Sequence, residues 1–413
     1  MLPGIDIQFE NGALGQVAPS PDGVFGVVTL CKEIGDTLKN EKAYVLKSMK
    51  DVAALGIIDN TDNHVVYKFF SEFFQESGNG REIWLMTFAQ KEESTPVKMS
   101  DLFTPDGVSG IAPVELLLNK ANGRLRGLFG LMNPDSGYTS VVTNGIDDDI
   151  VLAKTKAQTL LEDYTADKKA PLFCILEGYA FDGEHTDLAD LTEQSNNRVG
   201  ILIGDTESRT GTSASKGAAL GVLAGRLAKV SVQVNIGRVA EGALKPLEVY
   251  VVDDLVEDYD VESLHDKGYI TFRNHVGRTG YFFTDGPLAT SVSDDYHYIT
   301  HRRVIDKAYR IAYDTLLDYL LDDVQITPTG TVSPIYAKTI EGAVVSAIYS
   351  QMTVNGELSA NLNDNQDKAV ICVVDLNHNL AATSTMIVTV QVLPKGHARY
   401  IDVPLGFVPI SNN

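Results

Sequence analysis

The sequence predicts an α/β (α+β) protein of more than one domain, with mixed sheets flanked by helices and an extended arm at each end. Three observations carry this. Residues 63–88 run helix, Gly-rich break, apolar strand, and that alternation continues to residue 203. Near the start, Ile5, Ile7 and Phe9 alternate with Asp6, Gln8 and Glu10, the period-2 pattern of a half-buried strand without a hairpin partner nearby. Near the end, Tyr400, Ile401, Val403 and Leu405 alternate loosely, and Pro404 and Pro409 argue against a central strand.

Taken in order, residues 1–20 read as an arm, either an edge strand of its own domain or a strand given to a neighbour. Residues 24–30 are an apolar strand and 44–55 a short helix. Val66, Phe69, Phe70, Phe73 and Phe74 make an amphipathic helix that stops at Gly78-Asn79-Gly80, before a buried strand at 83–88. Helix and strand then alternate: 113–121, 125–131, 148–164, 171–176, 188–194 and 199–203. Strands are expected at 230–236 and 247–252. Residues 268–323 give strand, Gly-containing turn, strand and a long helix over 299–323, with Arg303, Lys307, Arg310, Asp314 and Asp318 opposite its apolar stripe. A helix over 335–352 and strands at 369–376 and 386–392, divided by Asn377-His378-Asn379, precede the tail.

Composition narrows the function. The net charge of −21, from 34 basic and 55 acidic residues, argues against nucleic-acid and anionic-membrane binding, which need basic surface. No apolar run is long enough to span a bilayer. The start, MLPGIDIQFENG, has neither a basic nor an apolar signal region, so the chain reads as a cytoplasmic product not secreted by a signal peptide. Cys31, Cys174 and Cys372 are isolated and read as reduced thiols.

Catalytic patterns are weak. The segment 211–225 resembles a phosphate loop at first sight, but Lys216 precedes Gly217 and Ala218 follows, so the Walker order fails. Gly217, Gly221 and Gly225 fall at i, i+4 and i+8, a spacing suited to close approach of another backbone. His297 and His301 share a helical face without the glutamate or third ligand of a zinc site. Ser213 and Ser215 lack the GxSxG frame. No catalytic, cofactor or metal residues are expected. The alternative is a nucleotide-binding α/β enzyme using 211–225.

The order of motifs in 268–323 resembles the C-terminal domain of contractile tail sheath proteins. A Gly-x-x-x-Phe-Arg strand (Gly268 to Arg273) leads through a Gly turn to an aromatic strand, an Asp-rich link and a helix opening on Tyr298 and carrying Arg302 and Arg303. The Pro-Gly-Ile start, the Phe-rich helix before Asn-Gly and the small-residue helix also resemble that family. Residues 230–236 depart from it, having no Trp and no Pro-Ala-Asn turn. The resemblance implies a linking arm at 1–20, an outer α/β domain at 21–245, a C-terminal α/β domain at 246–396 and a second arm at 397–413. It also implies hexameric rings of this chain stacked helically around a tail tube, with baseplate and terminator partners, in a phage tail or injection particle assembled in the bacterial cytoplasm. Arg303, Lys307, Arg310 and Asp314 are then the expected tube-facing surface. Ile5, Ile7, Phe9, Tyr400, Ile401, Val403 and Leu405 are the expected inter-subunit strands.

Overall fold

The computed structural model describes residues 21–210, 215–361, 363–364 and 366–407. Two compact units divide the chain after Asp323, well beyond the boundary at 245/246 expected from the element order. The physical reason is that residues 246–317 build onto the first core. Ile270 bridges to Leu202, extending the main sheet's edge, and the helix expected in a separate domain packs against that sheet.

The first unit is organised by a six-stranded sheet: β1 (Phe25–Leu30), β2 (Ala43–Leu46), β3 (Ile83–Phe88), β4 (Gly127–Leu131), β5 (Phe173–Glu177) and β6 (Val199–Leu202). Its order is β2-β3-β1-β4-β5-β6, parallel except for the antiparallel edge strand β2. Every residue of β1, β3, β4, β5 and β6 is buried, which requires cover on both faces because alternate side chains point opposite ways. Helix α1 (His64–Ser77) brings Phe69 to within 6.4 Å of the Phe129 ring. Helix α2 (Pro113–Ala121) begins on Pro113 and ends on left-handed Asn122, the start and stop signals that made it readable. Helix α3 (Asp148–Lys168) packs on β5 and β6.

Helix α4 (Leu220–Lys229) packs chiefly against α1. Beyond it, residues 230–236 form turns rather than the expected strand. The Val230 carbonyl is taken by Arg303 instead of a ladder partner. The expected strand at 247–252 shrinks to Tyr250–Val251, the expected short helix at 44–55 becomes β2 followed by a helix over Met49–Ala54, and the helix at 188–194 is a single turn, Leu191–Glu193. A hairpin, β7 (Phe272–His275) with β8 (Arg278–Phe283), leads to α5 (Ile299–Leu317), which stops short of residue 323 in a turn with Leu321 at φ 64°.

The second unit contains α6 (Pro334–Ile348), continued by a π-turn at Tyr349–Thr353, and a hairpin of β9 (Val370–Val374) and β10 (Val388–Val392). Among the described residues, no helix is long and apolar enough to cross a membrane.

Candidate assembly surface

The second unit is a hairpin laid on one helix. Ile340, Val344, Ile348 and Met352 are buried along α6 and its π-turn, and β9 packs on that helix with Cys372 and Val374 inside. Glu341 fastens the two: its Oε1 accepts the Val374 N–H at 3.0 Å and its other oxygen pairs with Lys338. Burial pushes this carboxyl up, but Lys338 and the Val374 N–H outweigh it and hold it below the usual carboxylate range.

The rest of the hairpin is open. Among the described residues the sheet has these two strands, so apart from the Val374 N–H held by Glu341 each strand keeps outward N–H and C=O groups without a neighbouring strand. The outer face carries Ile371 and Val373, 59% and 50% exposed. A two-stranded sheet is marginal alone, and an apolar, open-edged one is a template for strand addition.

The tail supplies matching chemistry. Residues 399–407 form neither helix nor strand, and Tyr400, Ile401, Val403, Leu405 and Phe407 stand out, Leu405 at 95% exposure. Apolar side chains spaced this way along an extended segment suit alternate pockets on a sheet edge. Ile5, Ile7 and Phe9 lie outside the described residues.

The expected tube-facing set is placed differently. α5 lies across the amino ends of the parallel strands. Arg303 is buried and donates to the carbonyls of Leu227 and Val230 at 3.1 and 3.2 Å. Lys307 pairs with Asp22, just before β1, at 2.6 Å, and Arg310 donates to Pro171, just before β5, at 3.2 Å. Burial, with Arg126 beside it, pulls Arg310 down to about 10. The basic side thus caps the sheet's lower edge, and of the four residues only Asp314 is exposed. Carbonyls at the end of α4 and before β5, with the Asp22 carboxylate, are invisible in a helical wheel and drew these cations inward.

The glycine segment divides likewise. Gly217 precedes α4, and a Cβ there would strike the Glu177 carboxylate. Gly221 and Gly225 face α1: a Cβ on Gly225 would lie 2.8 Å from the Phe73 carbonyl, and one on Gly221 2.8 Å from Glu72 Cβ. The small residues let two helices meet at backbone distance. Glu177, at the end of β5, accepts the N–H groups of Met132 and Ala218 at 2.6 and 3.0 Å. A resident carboxylate therefore holds backbone donors that a phosphate would need. At the reversal of strand order between β1 and β4, where open α/β sheets usually bind ligands, Asn133 donates to the Leu30 carbonyl at 3.0 Å and Cys31 to Asn63 at 3.0 Å, bridging the crevice. Sequence reading missed Glu177, Asn133 and Glu341. Only their positions at strand ends or on a buried helix face could have flagged them.

This architecture is the fold of contractile sheath proteins. The chain superposes on a chain of the anti-feeding prophage baseplate with a TM-score of 0.61 at 15% identity, over 98% of this chain and 99% of that one. It superposes on a chain of the contracted PVC sheath complex of an extracellular contractile injection system with a TM-score of 0.59 at 15% identity, over 98% and 97%. A sheath tail protein from Listeria innocua matches at 0.50 and 10% identity, over 92% and 96%. No curated protein matches in sequence. Residues 2–287 match the DUF2586 N-terminal domain and residues 295–410 the DUF2586 C-terminal domain, and the chain belongs to this family.

Proposed function

We propose that this chain is the structural subunit of a contractile sheath, polymerising with itself around an inner tube. The carrying observation is the open-edged β9–β10 hairpin beside an exposed apolar tail, within a fold shared from end to end with sheath proteins. In this reading, the terminal segments at 1–20 and 397–413 add strands to hairpins of neighbouring copies. Each added strand gains several backbone hydrogen bonds, worth about 1 kcal/mol net apiece, plus burial of its apolar side chains.

Hexameric rings stack helically, since a head-to-tail contact that does not close generates a helix. The linked copies stay connected while rigid bodies rotate between an extended and a shorter, wider packing, the difference in packing free energy driving the tube forward. Tail tube, baseplate and terminator proteins are the partners, and the particle is a phage tail or injection system assembled in the bacterial cytoplasm. Negative-stain microscopy of the purified chain at rising concentration tests this. Striated hollow tubes are expected, and a chain that stays monomeric with and without a partner tube would refute it.

A further inference from the structure

Two exposed features of the first unit remain unused by strand exchange. The β7–β8 hairpin ends in a tip with Val276 wholly exposed, and Arg273 and Arg278 project from it. Among the described residues neither arginine makes an ion pair, and no acidic residue lies between Gly268 and Phe283. At the far end of α5 the opposite character appears. Tyr309, Tyr313 and Leu317 make a second, exposed apolar stripe at i, i+4 and i+8, and Leu320 in the turn that follows is exposed too. Asp314 and Asp318 stand beside it, exposed and, among the described residues, outside any ion pair. Arg310, the basic residue of that stretch, is turned inward to Pro171.

We infer that the Arg273–Val276–Arg278 tip of one copy docks on the Tyr313–Leu317–Leu320 stripe of a second copy, its arginines against Asp314 and Asp318. Charge complementarity selects a second copy: a basic, apolar-tipped wedge on a chain of net charge −21 meets its matching acidic, apolar surface on the same chain. The two patches differ, so one copy can offer its tip to a second and its stripe to a third, a head-to-tail contact that builds rings or helices. It deepens the sheath reading, on which it rests, by adding a side-chain contact between bodies that the arms merely tether.

The test compares the wild-type chain with R273E/R278E, D314K/D318K and the chain carrying all four changes, by sedimentation and microscopy in low salt. Each reversal should raise the concentration needed for assembly about tenfold, the size expected when two exposed ion pairs become like-charge contacts. The fourfold variant should recover most of the loss, and thermal unfolding of all four proteins should coincide. Assembly of both single reversals at the wild-type concentration overturns the contact while leaving the sheath reading standing. Loss in both without recovery in the fourfold variant also overturns it, pointing to separate partners such as a tube. A wild-type chain that never assembles overturns the sheath reading and this contact together.

Discussion

Gly225→Ala tests whether the small-residue helix is a packing device. The new Cβ would sit 2.8 Å from both the Phe73 carbonyl oxygen and Glu76 Cβ, where ordinary contact begins at 3.4 Å. Helix α4 must therefore withdraw from α1 by about half an ångström or more. Both obstacles are held rigidly, one being backbone and the other the root of Glu76, whose carboxylate pairs with buried Arg226 at 3.0 Å. Overpacking of this kind costs about 1–3 kcal/mol, against which alanine's better helix propensity returns at most about 1 kcal/mol. The expected result is a net loss of about 1–2 kcal/mol in denaturant unfolding. Gly342→Ala is the control. Gly342 is exposed on α6 with no heavy atom within 4 Å of its Cβ position, so the same change should gain about 0.5–1 kcal/mol. A Gly225→Ala chain as stable as wild type would refute the close-packing argument.

Three further outcomes follow. Burial holds the Glu177 carboxyl up at about 8, above its ordinary 4.5, so the folded chain retains a proton the unfolded chain has lost, and stability should fall as pH rises through that interval. Glu177→Gln sets an amide N–H against a backbone donor and should cost about 1–3 kcal/mol in acid, the gap from wild type narrowing toward pH 8. Glu341 has the opposite sign. Its lowered pKa means that its contribution is present above the usual carboxylate range and lost as pH falls through the folded value. Glu341→Ala should expose the Val374 amide to faster hydrogen exchange at neutral pH and remove that acid-side loss. Finally, deleting residues 400–413 should abolish assembly without lowering the thermal stability of the isolated chain, because the side chains from Tyr400 to Phe407 are exposed. A matching fall in stability would make that segment part of its own unit's core.

The sequence was most legible where local signals and tertiary packing agree. Pro113 and Asn122 bracket a helix, Gly78 ends another, and buried strands read as apolar runs. It misled where one residue pattern serves two environments. Val230, Val232 and Ile236 alternate like a strand, yet Val232 and Ile236 are simply buried in turns whose carbonyls find other donors. Arg303, Lys307 and Arg310 look like a solvated face, yet the carbonyl end of α4, Asp22 and the Pro171 carbonyl draw them inside. The unit boundary was hidden because residues 246–317 join the first core through bridges at Tyr250 and Ile270, through the pairing of Ala289 and Thr290 with Asn196 and Ser195, and through α5, contacts distant in sequence. The hairpin strands were readable, but their open edges were not, since an absent neighbour leaves no mark in the strand itself.

The most direct measurement is electron microscopy of the concentrated 413-residue chain beside the chain lacking residues 400–413. The sheath account predicts striated hollow tubes from the first and none from the second, with both proteins folded. Tubes from both would remove the tail from the assembly mechanism. Monodisperse monomers from both, even with a partner tube added, would contradict the central claim.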